Sequence, residues 1–320
     1  MNQVILPTDW GGKRYYSLNT HLRHRFGHKV FKVSLDAGFT CPNRDGTLSW
    51  EGCHFCSPRG SGDFAGERGR SLEEQHEQVI QLMQRKWSSA YYIAYLQAFT
   101  NTYAPPVRLR EIYRNAQMLP GVVGLAIATR PDCIGNEVLE ILQECQRETF
   151  LWVELGLQTI HPRSSRYLNM GYDYSDFLQA LTGLQERKIE TCAHLILGLP
   201  GENRADMMAS AQALARLPLQ GVKLHLMHLM RGTPLAHRYQ AADFPFMSQE
   251  EYVELVVDIL EILPQNMVIH RLTGDSPRHL LLGPMWSLHK WEVLNHIDRR
   301  LEERDTWQGK KAEEPIANPE

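Results

Sequence analysis

The sequence predicts an α/β fold in which parallel strands form an incomplete, splayed barrel with helices packed on its outside. Short β-rich runs alternate with helix-length segments at about the spacing of βα units. Along the strands, apolar and polar residues alternate, so one face meets helices and the other lines a polar interior. A closed TIM-type barrel would instead fill its interior with Val, Ile and Leu. The predicted strands span 30–35, 91–97, 122–129, 150–157, 191–197, 222–226 and, more weakly, 267–272.

The alternation is clearest on the fourth predicted strand, where Trp152, Glu154 and Gly156 alternate with Val153 and Leu155. Antiparallel strands with one solvated face would produce the same pattern. The long helical connections favour parallel strands, because antiparallel neighbours can be joined by short hairpins. In a parallel barrel, the functional site is expected at the C-terminal ends of the strands.

Composition and charge are those of an ordinary globular protein that can bury a large core. The 320 residues are 43% apolar and 22% charged, and the net charge of −3 gives no basic excess that would indicate nucleic-acid binding. The sequence has no signal peptide and no apolar run of about 18 residues. We therefore expect a cytoplasmic protein that does not enter the membrane.

The chain is expected to fold as four segments. A basic and aromatic segment, 1–29, packs on the barrel of residues 30–240, and 241–300 form an extension of helix, extra strand and helix. Residues 301–320 are polar and predict a disordered tail. Two helices are expected to begin in capping boxes, one from Ser71 to Glu74 and one from Ser248 to Glu251.

Three of the six cysteines, Cys41, Cys53 and Cys56, fall within sixteen residues after the first predicted strand. In a cytoplasmic chain, such clustering indicates metal binding or chemistry, because disulfides are rare there. Structural zinc needs four ligands, but no second C-x-x-C is present and His54 lies inside the pair. Three thiolates suit a cubane iron–sulfur cluster whose fourth iron binds a small molecule. The alternative is a non-catalytic iron–sulfur redox sensor or zinc-stabilised binding module.

Cys53-His-Phe-Cys56, with Cys41 upstream, resembles the radical S-adenosylmethionine (SAM) superfamily. A longer resemblance, over about residues 10–295, is to its YhcC/YtqA-like branch, which is related to the catalytic subunit of Elongator. The blocks that carry it are GFTCPNRDG (38–46), TRPDC (129–133), ELGLQT (154–159), LILGLPGE (195–202), GVKLHLMHLMRGTPLA (221–236) and HRLTGD (270–275).

The resemblance implies a partial (β/α)6 barrel of TIM type and a radical mechanism. Cys41, Cys53 and Cys56 would hold a [4Fe–4S] cluster, with SAM on its fourth iron. An electron from a flavodoxin- or ferredoxin-like reductant would cleave SAM to methionine and a 5′-deoxyadenosyl radical, which takes a hydrogen atom from the substrate. The cofactors would carry the difficult chemistry, and the protein would orient them.

The resemblance also implies residues that contact SAM: Phe55 beside the adenine, Gln158 at the ribose, Ile196 and Leu226 bordering the adenine, and Gly198 in the turn after the fifth strand. For Gln158 a loop-capping role, and for Ile196 and Leu226 a plain core role, are alternatives.

Two departures from the family pattern concern the SAM carboxylate. Met170 stands where relatives often have an arginine, and Ala128 stands where some have a glutamate. The contact with the carboxylate must therefore come from another residue or be absent.

Polar residues on the interior face of the strands, or near strand ends, suit an anionic or strongly polar substrate. They are Gln97, Arg130, Cys133, Glu154, His194, Lys223, His225, Arg231 and Arg271. The alternatives are that some of these pair with one another as a satisfied polar core, and that Cys133 is simply buried.

The expected substrate is tRNA, because the Elongator relatives act on wobble uridine. The specific hypothesis is remodelling of a uridine side chain such as carboxymethylaminomethyl; the alternative is a small metabolite or a protein side chain. Residues 10–32 carry six Lys or Arg, no acid, and interleaved aromatic residues, which is typical of RNA-binding surfaces. Leu18, Leu22 and Phe26 also fit an amphipathic helix packed on the barrel.

Overall fold

A computed structural model describes residues 10–84, 91–240 and 242–312. Seven parallel strands form one curled, half-barrel sheet in the order β1-β2-β3-β4-β5-β6-β8. The predicted parallel barrel is confirmed, and the antiparallel alternative is wrong. The strands are β1 Val30–Leu35, β2 Tyr91–Leu96, β3 Val122–Thr129, β4 Phe150–Gln158, β5 Glu190–Leu197, β6 Gly221–Leu226 and β8 Val268–Arg271, with a small antiparallel pair of β7 Leu229–Met230 and β9 Leu281–Gly283.

Helices connect successive strands, and their starts follow ordinary capping chemistry. Both predicted capping boxes form: Ser71 and Glu74 exchange bonds at the start of the second helix, and Ser248 and Glu251 do so at the ninth. The helices are α1 Leu18–Phe26, α2 Leu72–Gln84, α3 Pro106–Gln117, α4 Asn136–Glu148, α5 Pro162–Tyr167, α6 Tyr174–Glu186, α7 Arg204–Ala215, α8 Pro234–Arg238, α9 Gln249–Ile262 and α10 Lys290–Glu303.

The outward faces of the strands form the main core, as the alternation predicts. Val33, Leu125, Val153 and Leu195 are buried there with the apolar faces of the surrounding helices. The inward faces bury Glu154, Lys223 and other polar groups. The same period-two pattern therefore decides both which residues pack against helices and which line the barrel.

The N-terminal end of the barrel interior is apolar and is closed by α1. Leu22 is buried with Ile93 and Trp152 inside the barrel, and Phe26 packs on Phe150, the first residue of β4. Ser17 accepts from the Thr20 N–H and caps this helix. The sequence predicts a wet interior, but the structure shows that only its middle and C-terminal part are polar.

Several cations of the N-terminal segment have acidic partners within the protein. Lys13 pairs with Asp298, and Arg14 lies 3.1 Å from Asp305. Arg25 lies over Phe150 and 3.5 Å from Glu190 at the start of β5. The amphipathic-helix interpretation therefore accounts for this segment, which lies at the end of the barrel away from the C-terminal strand ends.

The predicted disordered tail is wrong for residues 301–312. α10 continues to Glu303, and Thr306 and Gln308 are fully buried. Thr306 Oγ1 donates to Glu261 Oε1 at 2.5 Å, and Gln308 Nε2 donates to the carbonyl of Met267 at 2.8 Å. Polar composition misled the prediction because these polar groups are satisfied by buried partners. Residues 313–320 lie outside the described part of the chain.

Throughout the described ranges, every helix is too short or too polar to cross a membrane.

Candidate active site at the C-terminal ends of the strands

A cavity of about 610 Å³ opens at the C-terminal ends of the barrel strands. Cys41, Cys53 and Cys56 all line it, although eleven residues separate the first two. The volume is in the range of small-molecule and cofactor sites. The structure thus brings the three predicted thiols to the mouth of the polar barrel interior.

The eleven residues between Cys41 and Cys53 form a compact, doubled-back loop. The Leu48 N–H donates to the Pro42 carbonyl at 2.8 Å, and the Gly46 N–H donates to the Ser49 carbonyl at 3.2 Å. Gly46 has a φ of +90°, and a Cβ there would lie 2.4 Å from the Trp50 ring. The insert is therefore a folded unit in which Trp50 packs on a glycine while its side chain remains largely exposed.

Asn169, after α5, fastens this loop to the far side of the barrel. Its Nδ2 donates to Ser49 Oγ at 3.1 Å and to the Gly52 carbonyl at 3.0 Å. Its own carbonyl accepts from Asn43 Nδ2 at 2.5 Å. Two ends of the insert are thus tied to one asparagine, which gives the stretch TLSWEG a structural role that sequence alone does not reveal.

The three cysteines are free thiols in surroundings suited to a sulfur-ligated cluster. Asn43 Nδ2 lies 3.5 Å from Cys53 Sγ, and Ser61 Oγ lies 3.8 Å from Cys56 Sγ. Burial, with the nearby Cys56, raises the pKa of the Cys53 thiol to about 12, and burial also raises the pKa of Cys56. Thiolates at these positions therefore need a bound cation, as a cluster iron would supply.

Among the described residues, no three Cys, His, Asp or Glu side chains converge as ligands of a single metal ion. A cubane cluster differs because it accepts each thiolate on a different iron, so its ligands face a shared space without meeting at one point. Three thiols on one cavity wall, with amide and hydroxyl donors beside two of the sulfurs, fit that donor set.

Four of the five residues expected to contact SAM line the same cavity: Phe55, Gln158, Ile196 and Leu226. Gln158 has a φ of +68° where the β4–β5 pairing is irregular. The fifth, Gly198, is not part of the cavity wall; its N–H donates to Met207 Sδ at 3.0 Å in the turn after β5.

Glu154 lies at the floor of the cavity, fully buried, at the centre of a charged network. Its Oε1 accepts from Lys32 and Trp152, and its Oε2 accepts from Lys223 and Tyr95 and lies 2.9 Å from His194 Nε2. Burial alone would raise its pKa, but the two lysines and the histidine hold that pKa well below its ordinary value. Burial lowers the pKa of Lys223 to about 7 and that of His194 to about 4. Glu154, Lys223 and His194 therefore pair with one another, as the satisfied-core alternative predicts, and they also line the cavity.

The other predicted polar residues separate into two groups. Gln97, His225 and Arg271 line the cavity together with Arg130. Cys133 instead lines a second cavity of about 800 Å³, beside the loop insert, and Arg231 is exposed and not part of either wall. Sequence reasoning missed this division because position near a strand end does not fix where a loop residue points.

Arg130 lies in the cavity wall near the position of the two family departures. Its guanidinium forms two bonds with Asp132, at 2.9 and 2.6 Å, and lies over the Tyr172 ring at 4.8 Å. It is 7% exposed, and its buried Nη1 has no hydrogen-bond partner within the described part of the chain. Met170 is buried in an apolar cluster, so it offers no replacement for the missing arginine.

Sequence reasoning also missed several cavity-lining residues. Arg44 Nη2 donates to the carbonyls of Cys56 and Ser57, at 2.9 and 2.8 Å, and so stabilises the cysteine loop. The quoted blocks LHLMHLMRG and HRLTGD contain two further ones, His228 and Asp275. No sequence feature points to four more, which come from the C-terminal extension: Ser276, Ser287, Leu288 and Lys290.

Comparison with known sequences identifies the class to which this fold and cavity belong. Residues 41–214 match the radical SAM superfamily, and residues 219–303 match the radical SAM C-terminal domain. The first match covers more than half of the chain, so the chain belongs to the radical SAM superfamily and is an enzyme of that class.

Within the superfamily, the chain groups with YtqA and YhcC. It is 51% identical to YtqA of Bacillus subtilis over 298 residues, covering 93% of this chain and 92% of that protein. It is 34% identical to YhcC of Escherichia coli over 283 residues, covering 88% and 90%. A more distant similarity, 23% identity over 163 residues, is to the tRNA uridine(34) acetyltransferase of Methanocaldococcus jannaschii, of which it covers 30%.

Solved structures share the fold. Elp3 of Methanocaldococcus infernus matches with a TM-score of 0.65 and 16% identity, over 87% of this chain and 64% of Elp3, so this chain spans less than two thirds of it. Methylornithine synthase PylB matches with a TM-score of 0.51 and 14% identity, over 91% and 86%.

Proposed function

We propose that this radical SAM enzyme modifies tRNA, by remodelling the side chain of a wobble uridine such as carboxymethylaminomethyl-uridine. The observation that carries the radical part is the meeting of three free thiols at the mouth of a polar barrel cavity. The tRNA part depends on the similarity to a tRNA uridine(34) acetyltransferase over half of this chain.

Cys41, Cys53 and Cys56 would hold the [4Fe–4S] cluster. When bound and reduced by a flavodoxin- or ferredoxin-like protein, the cluster supplies the electron that cleaves SAM to a 5′-deoxyadenosyl radical. The protein's own part is to fix the loop geometry. Asn169 holds both ends of the insert, and Arg44 holds the chain at Cys56 and Ser57. Asn43 Nδ2 donates toward Cys53 Sγ, a contact that would tune the potential of a sulfur-ligated cluster.

Phe55, Gln158, Ile196 and Leu226 would contact SAM from the cavity wall. We assign the SAM carboxylate to Arg130, because its Nη1 is buried, unpartnered and in the same wall. A guanidinium N–H forms a strong, charge-assisted hydrogen bond with a carboxylate. Asp132, which accepts from Nε and Nη2, and the Tyr172 ring hold this guanidinium in position. Arg130 would thereby replace the arginine whose place Met170 takes.

A nucleobase would enter the cavity from the C-terminal strand ends. Phe64 belongs to the cavity wall and is 57% exposed, and Trp50, on the cysteine loop, is 77% exposed. Exposed aromatic rings stack on unpaired bases, which supports a single-stranded loop as the substrate. The basic N-terminal segment has no such role in this proposal, because Arg14 and Arg25 pair with acids away from the C-terminal strand ends.

Anaerobic reconstitution with iron and sulfide, followed by SAM and dithionite, tests the radical part. We expect 5′-deoxyadenosine from the wild type and from Cys145→Ala, a buried cysteine outside the cavity, but neither cluster nor product from Cys53→Ala. Product from Cys53→Ala would contradict the ligand assignment.

Comparison of tRNA nucleosides from cells with and without the gene tests the tRNA part. We expect the modified wobble uridine to change in mass when the gene is removed. An unchanged wobble-uridine profile would refute the tRNA substrate and favour a small metabolite or a protein side chain.

A further inference from the structure

The wall of the cavity at the β6–β8 edge carries a surplus of positive charge. Arg271 Nη2 and Lys290 Nζ each lie 2.8 Å from the same oxygen, Oδ2 of Asp275. All three residues line the cavity. Two cations thus share one carboxylate, which leaves a net charge of about +1 facing the space where a substrate would lie.

Other cations of the cavity wall are already engaged. Arg130 forms a two-bond pair with Asp132, and its remaining Nη1 is assigned above to the SAM carboxylate. Arg44 donates to two backbone carbonyls. Lys223 donates to Glu154, whose two oxygens are saturated by five neighbours. The Arg271–Lys290 pair is therefore the cationic part of the wall best able to accept an anion.

Unsatisfied polar atoms lie on the same wall. His228 is 9% exposed, and its Nε2 lacks a hydrogen-bond partner among the residues that the structure describes, as does Ser276 Oγ. A Cβ at Gly274 would lie 3.1 Å from the His228 ring, so the glycine lets the backbone pack closely against this imidazole. Buried polar atoms without partners cost free energy unless a ligand or water satisfies them.

We propose that Arg271, Lys290, His228 and Ser276 form an oxyanion subsite that binds a carboxylate or phosphate group of the substrate. The guanidinium and ammonium groups supply charge, and the imidazole and hydroxyl supply neutral hydrogen bonds. Asp275 orients the two cations. The subsite depends on the proposed function in one respect, because it assumes that the substrate shares this cavity with SAM.

The C-terminal extension has a defined part in this subsite. Lys290 is the first residue of α10, and Ser276 lies in the loop after β8, so both come from the segment that follows the barrel strands. The extension would therefore help to select the substrate by its charge, in addition to covering the sheet.

Calorimetric titration of the anaerobic, cluster-loaded protein with inorganic phosphate and, separately, with acetate at constant ionic strength tests the subsite. We expect saturable binding of at least one, weakened about tenfold in Lys290→Gln and largely restored in Lys290→Arg, because one charge-assisted hydrogen bond has about that effect. Tighter phosphate binding would indicate a phosphate group of the substrate, and tighter acetate binding a carboxylate.

Asp275→Asn should change the anion affinity in the opposite direction to Lys290→Gln. We expect oxyanion binding to strengthen several-fold, because the substitution removes the carboxylate that competes for the two cations. Arg299→Gln, which removes one exposed charge from the same helix, is the matched control and should bind like the wild type. Absence of saturable binding, or equal affinity in the wild type and Lys290→Gln, would overturn the subsite.

The same preparations, assayed for 5′-deoxyadenosine with SAM and dithionite, separate this inference from the proposed function. Oxyanion binding without SAM cleavage by the wild type would refute the proposed function alone. SAM cleavage without oxyanion binding would refute the subsite alone.

Discussion

Replacing Glu154 with Gln tests whether one buried carboxylate holds the charged layer of the barrel together. The carboxylate is fully buried and is the acidic partner of both Lys32 and Lys223. Gln keeps the shape and some hydrogen bonds but removes the charge. The side chain of Lys223 is only 6% exposed, so its ammonium group would be left in the interior without a counter-charge.

The expected cost follows from the geometry of the two lysines. Removing one partner of a buried ion pair costs about 3–5 kcal/mol of unfolding free energy. The Lys32 side chain is 19% exposed and can turn partly toward solvent. We therefore expect Glu154→Gln to lower the unfolding free energy by about 3 kcal/mol, the lower end of this range. Combining Glu154→Gln with Lys223→Met should cost less than the sum of the single changes, by about 1–3 kcal/mol.

Urea unfolding followed by tryptophan fluorescence, extrapolated linearly to water, measures these free energies. Glu140→Gln, an exposed glutamate of α4, is the control and should change the stability by less than about 0.5 kcal/mol. The cost of Glu154→Gln should also shrink from pH 7 to pH 9, because the folded wild type then loses the proton of Lys223, whose pKa is about 7, and with it the Lys223 charge that Glu154 stabilises. A cost below about 1 kcal/mol, or additive double-mutant values, would refute the ion-pair explanation.

Three further outcomes follow from the packing. Asn169→Gly keeps the positive φ of 52° but removes the side-chain clamp, so the purified protein should retain less iron and be cleaved faster in the cysteine loop. Lowering the pH from 7.5 to 5.5 should reduce the unfolding free energy by about 1 kcal/mol for each of His194 and His228. Burial holds the pKa of both imidazoles near 4 in the folded protein, whereas the same groups in the unfolded chain take up protons below about pH 6.5. An unfolding free energy from urea titration that does not change over this pH range would contradict this. Leu22→Ala should lower the unfolding free energy by about 2–5 kcal/mol and lower the thermal midpoint of unfolding, because Leu22 of α1 is buried at the end of the barrel. An unchanged midpoint would show that α1 does not close the barrel.

The sequence by itself determines the strands and places the three cysteines of the proposed ligand set close together, and its long helical connections favour a parallel arrangement. Strand formation and the two faces follow from the local period-two alternation, which residues such as Val153 and Glu154 carry directly. The spacing of Cys41, Cys53 and Cys56 is also local. For these features, neighbouring residues contain all the information that the prediction needs.

The tertiary structure alone decides which polar groups meet. Lys32 and Lys223 lie far from Glu154 along the chain, and their contacts with it depend on the register of three different strands. Composition could not show that cations of the basic N-terminal segment pair with acids at the other end of the chain, or that Lys290 reaches the cavity. An ion pair or a cavity wall forms between residues that are distant in sequence, so it is fixed only when the strands and helices pack together.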